Sequence, residues 1–422
     1  MMKNLIAGPI VSLLFLAACG GGGGSSSSSS ANCPTTGTPV TISGNVVYDH
    51  VPSNTQTSGL NYELTRQDPV RGATVQALCG SRTIITTKTD NLGNYSVAVA
   101  PESDIQIRVL AETTFSQTAS WNVKVVDNTR EQALYVLDGT PTSSGTTNSE
   151  RNLRATSGFT IGQGYTSTRA AAPFAILDSI YQALIETQAV DSNVQFPPLT
   201  VNWSVNNRPV DGNLAAGEIG TSFYFNDNIY ILGAENSDTD EYDGHIVVHE
   251  WGHYFEDKLS RSDSIGGSHG PNDSLDPRVA LGEGFGNALA GIITGDPVYR
   301  DSFGNLQNRG GELDVEADDD NGWYNESTVQ SILYDLFDNN SDSANDNISL
   351  GWGSLYRAFV SSSYRNSESF TTIFSYISEL RAQNPANTAA IDALVDSRGI
   401  QANSSQPINE FGSNETNNAN ND

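Results

Sequence analysis

The chain has 422 residues, 49 of them acidic and 21 basic, with a formal net charge of -28. That length exceeds one ordinary domain and admits two with tails. A chain so acidic is repelled by nucleic acid and by anionic lipid surfaces, so neither is expected as a partner.

The first nineteen residues, MMKNLIAGPIVSLLFLAAC, join one lysine, an apolar run and small residues. This is the layout of an export signal, and the apolar run is short for a membrane span. Leu16-Ala17-Ala18-Cys19 resembles a bacterial lipobox, which implies cleavage before Cys19 and a lipid on that cysteine. Residues 1–19 are therefore read as a lipoprotein signal peptide and 20–37 as a Gly/Ser-rich tether. Gly20 stands where a retention signal would carry Asp, so the expected location is exported and lipid-anchored at the cell envelope, at the outer membrane or cell surface. In such a compartment Cys33 and Cys79 can pair. The bond would close a loop of about 47 residues and add roughly 4 kcal/mol on the chain-entropy view.

From residue 38 to 140 the pattern is all-β. Short runs such as TISGNVVYD, GATVQAL, TIITTKT, NYSVAVA and IQIRVL alternate with turn chemistry such as DNLGN, and that spacing predicts a sandwich. PVRGATVQAL followed by TKTDNLGNYSVAV resembles the transthyretin-like or carboxypeptidase-regulatory-like sandwich, which implies an accessory module. His50 reads as a surface or turn residue. GTPTSSGTTNSE reads as a polar linker. Beyond it, AAPFAILDSIYQALIETQ has helical spacing, and LTVNWSV and NIYILGA read as strands. Helices are predicted around the histidines, near VALGEGFGNALAGIITG, and in three later segments. The asparagine-rich end, 401–422, is read as a disordered tail.

Three of the five histidines, His245, His249 and His253, stand four residues apart. His249-Glu250-Trp251-Gly252-His253 is H-E-x-x-H. Positions i and i+4 share one helix face, so both imidazoles can reach one Zn²⁺. Glu250 then stands where it can take a proton from water on the metal. A catalytic zinc takes a third protein ligand and keeps one position open. A metzincin would continue with Gly and His, but Glu256 and Leu259 occupy those positions. LGEGFGNALAG supplies Glu283, and GEGFGN is similar to the fungalysin motif G-E-G-W-S-D. The chain thus resembles the gluzincin zinc metallopeptidases, thermolysin-like and fungalysin-like. The resemblance implies zinc on His249, His253 and Glu283, one ion per chain, with Glu250 as general base.

The family places Asp four residues after the ligand glutamate, where this chain has Asn287. Asn287 and His245 are read as supporting the ligands from behind, and His269 is the rival third ligand. DNGWYNESTVQSILYDLFD resembles the gluzincin segment that carries the oxyanion donor; the match falls on Trp323 or Tyr324, and Tyr324, with its hydroxyl, is chosen. SFYFNDNIYILG resembles the edge strand that pairs with an extended peptide. Of two acidic runs, DTDEYD and DNNSDSANDN, the second alternates carboxylate and amide groups as a Ca²⁺ loop would but lacks the glycine and glutamate of an EF-hand, so solvated loop is the expectation and Ca²⁺ is admitted without support.

The expected whole is multidomain. An all-β sandwich (38–140) precedes an α+β zincin-type catalytic domain (141–400) with a mainly helical C-terminal part. The expected activity is that of a surface-anchored zinc endopeptidase, monomeric, acting on polypeptide and touching the membrane only through its lipid. The alternatives are a catalytically weak zinc-binding surface protein used for adhesion, and a metal-dependent hydrolase of another substrate.

Overall fold

The computed structural model describes residues 31–270, 273–317, 322–340 and 346–400. The signal-peptide, lipobox and tail readings, with Cys19 and most of the tether, lie outside these residues. The N-terminal strands are β1 (Val40–His50), β2 (Arg66–Pro69), β3 (Ala73–Cys79), β4 (Arg82–Lys88), β5 (Asn94–Val99), β6 (Asp104–Ser116) and β7 (Ser120–Asp127). Their period-two patterning sets which face is buried: Tyr95, Val97 and Val99 of β5 and Trp121, Val123 and Val125 of β7 all point into the core. Each such side chain contributes roughly 1.5–3 kcal/mol when fully buried. β1 is the hub of one sheet, antiparallel to β2 and β5. β4, β3, β6 and β7 run antiparallel in the other. Cys33 and Cys79 form a disulfide, with Cα atoms 5.9 Å apart, that ties the entering chain to the end of β3.

The second sheet does not stop at β7. Leu199–Trp203 pairs parallel with β7, Asn228–Ile231 parallel with Leu199–Trp203, and Phe223–Phe225 closes the row as an antiparallel edge. The strands before and after residue 140 therefore share one hydrogen-bonded sheet, and one hydrophobic core runs beneath both. The stretch read as a polar linker is also held. Thr142–Ser143 pairs with β6, and Ser149–Glu150 and Leu153–Ala155 pair with β1. Thr142 and Ser143 are exposed, so their backbone pairing leaves no apolar period for a sequence reading to find. His50 ends β1 half-buried, its Nδ1 3.3 Å from Asp68.

Helix α1 (Ala172–Val190) lies across β6 and β7, burying Phe174, Leu177, Ile180 and Leu184. It supports α2 (Gly244–Lys258), which packs on α3 (Pro277–Thr294), and α3 packs in turn on α4 (Glu326–Phe337). Asp276 caps α3 through the Arg278 N–H, with Pro277 at its first turn and left-handed Gly295 (φ 69°) at its end. Asn325 caps α4 by accepting from the N–H groups of Ser327 and Thr328. Helices α5 (Gly351–Val360), α6 (Ser362–Arg365), α7 (Ile373–Gln383) and α8 (Thr388–Ser397) complete the C-terminal part. A hairpin, Val298–Phe303 with Arg309–Asp314, follows α3 and was not expected. No helix among the described residues is long and apolar enough to cross a membrane.

Candidate metal centre

Helix α2 is buried on nearly every side. Trp251, Tyr254 and Phe255 are fully buried on the face away from the histidines, with Phe255 5.7 Å from the Phe285 ring of α3. That apolar packing fixes the helix rotation, so the opposite face turns His249 and His253 towards α3. Their Nε2 atoms are 3.1 Å apart. Glu283 of α3 places Oε2 3.2 Å from Nε2 of His249 and 3.5 Å from Nε2 of His253.

These three separations can be tested against zinc. Ligand bonds of about 2.0–2.1 Å in a tetrahedral site put neighbouring donors about 3.3 Å apart. The observed triangle matches that spacing, and a His₂Glu donor set suits the ion, so the residues present fit zinc.

The glycines of α3 make the approach close enough. A Cβ on Gly286 would lie 2.8 Å from the His249 ring, and one on Gly284 would lie 2.6 Å from Val329 of α4. A helical glycine costs up to about 1 kcal/mol relative to alanine. Here that cost admits the imidazole on one side and α4 on the other.

Both imidazoles are oriented from behind. Asn287 donates through Nδ2 to Oε1 of Gln330 at 2.9 Å, which turns its Oδ1 to Nδ1 of His249, also at 2.9 Å. His249 therefore carries its proton on Nδ1 and keeps the Nε2 lone pair for the ligand face. Behind His253, Oε2 of Glu256 lies 3.6 Å from Nδ1, and Glu256 is only 2% exposed. Asn287 brings no charge to His249, but a buried carboxylate stands behind the other histidine. Sequence spacing gave no sign of Gln330, which acts across helices, whereas Glu256 stands three residues after His253 on one helix face, a spacing that could have named it.

Glu250 is buried, and burial pushes its carboxyl above the usual range while His249 and His253 pull it back. The backbone of Tyr224, in the edge strand Phe223–Phe225, reaches the same carboxylate. Burial would raise Glu283 too, yet His253, His249 and His269 together hold it well below the usual range. Burial alone would lower His253, but Glu283 and Glu256 hold it well above its usual value. The pocket is thus a concentration of carboxylate around imidazole, a field that attracts a cation.

The remaining expected residues divide. His269 does not join His249 and His253; its Nε2 lies 3.5 Å from Glu283 and 3.4 Å from Glu326 at the start of α4. The hydrogen bond to Glu283 pushes its pKa up to about 9. His245 turns away from the ligands, placing Nε2 2.9 Å from the Asp296 carbonyl beyond the end of α3. It shares with His249 the half-buried ring of Tyr299, at 5.3 and 6.1 Å. Tyr324 is 39% exposed, with its ring edge-on to Trp323, and its hydroxyl bonds none of the ligand side chains. Of the two acidic runs, the middle of DNNSDSANDN lies outside the described residues. DTDEYD is not solvated: Asp240, Glu241 and Asp243 are each 1–2% exposed, Asp240 bonded to Ser222, Glu241 to Arg169, and Asp243 to Ser302 of the hairpin after α3.

Comparison with known proteins bears on this part of the chain. None of the curated proteins compared matches it. Among solved structures, the precursor of protealysin, a metalloproteinase from Serratia proteamaculans, is similar over 56% of this chain and 81% of its own, at 8% identity and a TM-score of 0.36. That likeness is too slight to build on. Residues 188–397, which contain α2, α3, α4 and every ligand candidate, match the family described as the mycolysin C-terminal domain, and this match supports a metalloprotease relationship for the segment.

Proposed function

We propose that the chain is a zinc-dependent endopeptidase of the gluzincin type, held at the outside of the cell by a lipid on Cys19. The observation that carries this reading is the His249–His253–Glu283 triangle, at zinc spacing, beside the buried carboxylate of Glu250. Zinc held there supplies Lewis acidity, lowering the pKa of water to about 7 and polarising a carbonyl.

The chain's own groups perform the rest. An extended peptide pairs with the free edge of Phe223–Phe225, which brings its scissile carbonyl over α2. Glu250 takes the water proton on its carboxylate and passes it to the leaving amine, a role its raised pKa suits. The negative charge developing on the carbonyl oxygen requires a donor. Tyr324 was the expected donor, but its half-exposed hydroxyl has no hydrogen bond to a ligand side chain among the described residues. His269 is better placed, since its Nε2 lies within 3.5 Å of Glu283.

The test is cleavage of casein or a quenched peptide library by the full chain. Activity should disappear on zinc chelation and return with stoichiometric zinc. A chain that retains zinc yet cleaves no peptide would instead be a zinc-binding surface protein.

A further inference from the structure

The face of α2 that carries His249 and His253 continues past the candidate zinc ligands. Positions four apart stack on one helix face, so Asp257 lies one turn beyond His253, and Arg261 follows past the end of the helix. Both line a pocket of about 470 Å³ whose other walls include Ser262 and, at α6, Ser362, Arg365 and Asn366. The edge strand Phe223–Phe225 leads to the same place. Ser222, just before the strand, donates to Asp240 ahead of α2. The Tyr224 hydroxyl reaches Asp257 at 2.6 Å, and Asp227, just after the strand, pairs with Lys258 at 2.7 Å. Strand and helix therefore run in the same direction, and a peptide laid on that edge passes over Glu250 and on to the pocket.

The pocket is polar and holds an open positive charge. The Asp257 carboxylate is engaged by Tyr224 and by Lys258, the latter at 3.0 Å. The Arg261 guanidinium forks onto Asp263 at 3.2 and 2.7 Å and donates to the Ser367 carbonyl at 2.6 Å. Arg365 is exposed, and its guanidinium has no ion pair or hydrogen bond among the described residues. The chain has 49 acidic residues for 21 basic ones, so this guanidinium is not open for want of carboxylates. The Ser262 and Ser362 hydroxyls accept from the Ser264 N–H and the Asn366 amide. Neither donates to another group among the described residues, so both protons are free to point at a guest.

We propose that this pocket receives an acidic side chain of the peptide substrate and that Arg365 selects it. The inference rests on the endopeptidase reading above and narrows its substrate class. A guanidinium presents a planar pair of N–H donors that matches a carboxylate, and the two hydroxyls add donors of the same sense. Helix rise of about 1.5 Å per residue puts Asp257 about 6 Å beyond His253, with Arg261 farther still, and an extended peptide advances about 3.3 Å per residue. The acidic side chain therefore belongs about two to four residues from the scissile bond.

The test uses the zinc-loaded full chain and quenched peptides blocked at both termini, so that only side chains carry charge. Glu, Gln or Lys is placed in turn at each position two to four residues to either side of a fixed cleavage site. At one of these positions kcat/KM for the Glu peptide should exceed that for its Gln counterpart by about 10-fold or more. Arg365→Gln should bring that ratio close to one, and Arg365→Glu should turn the preference towards the Lys peptide. Because Arg365 is exposed and unpartnered, both variants should keep the fold. Cleavage without a preference for Glu at any of these positions would overturn the proposal and leave the peptidase standing. So would a preference undiminished in both variants. If no peptide is cleaved, the endopeptidase reading fails, and fluorescence anisotropy of labelled peptides decides the pocket. Tighter binding of a Glu peptide than of its Gln counterpart, lost in Arg365→Gln, supports the acidic-side-chain pocket, and equal binding overturns it.

Discussion

The histidine centre and the aspartate cluster are built in opposite ways. In the first, each ligand comes from a helix, and both imidazoles have a partner behind them: Asn287 for His249 and Glu256 for His253. In the second, Asp238, Asp240, Asp243 and Asp301 come from a short strand, the start of α2 and a hairpin, and each keeps one buried carboxylate oxygen unpartnered. A centre whose ligands are held from behind keeps its shape before an ion arrives. A cluster of unpaired carboxylates repels itself. The difference teaches that a centre whose ligands are held from behind and a cluster of unpaired acids should each respond to perturbation in its own way.

The largest effect belongs to the chemistry. Glu250→Gln should lower kcat by about 10³-fold, within the usual range for a general base, while zinc content and melting temperature stay unchanged. His269→Ala should follow, with a loss of about 10²-fold or more in kcat against a small change in KM, whereas Tyr324→Phe should be nearly silent; equal losses would return the donor role to Tyr324. Asn287→Ala should weaken zinc about 10-fold to 100-fold in a competitive chelator titration, because Nδ1 of His249 loses its acceptor, while Asn287→Asp should bind at least as tightly as the wild type. Gly286→Ala pushes a methyl towards the His249 ring and should cost about 1–3 kcal/mol in a denaturant melt, with loss of zinc.

The smallest effect lies far from both centres. Burial and the neighbouring Arg66 lower His50 to about 4 against the pull of Asp68. The unfolded chain therefore takes up this proton first, near pH 6.5. The stability that neutral His50 contributes is complete above about 6.5 and is lost as the pH falls towards 4. His50→Gln should flatten that loss by about 1 kcal/mol between neutral pH and about pH 5, as read from urea melts.

How much of this was legible in the sequence depended on how local each arrangement is. The four-residue spacing of His249 and His253 places them on one helix face whatever surrounds them, and the glycines beside Glu283 already pointed to a close helix approach. Cys33 and Cys79 had no other partner than each other once Cys19 was assigned to lipid. The aspartates could not be read in this way. Asp301 reaches Asp238 and Asp240 only because Phe303 pairs with Asp238, a register that no periodicity announces. DTDEYD looks like any solvated acidic loop until the fold buries it. The continuous sheet was hidden for the same reason, since Leu199–Trp203 joins β7 through backbone groups after more than seventy residues of intervening chain. His269 and Tyr324 show the limit at the site itself: both lie near the start of α4, and only the folded loop decides which one faces Glu283.

The most direct measurement is zinc content and peptide cleavage side by side in the wild type, Glu250→Gln and Glu283→Ala. The expected result is one zinc per chain in the first two, zinc weakened or lost in the third, and cleavage by the wild type alone. Undiminished zinc in Glu283→Ala, or undiminished cleavage by Glu250→Gln, would contradict the assignment of those two carboxylates as ligand and base.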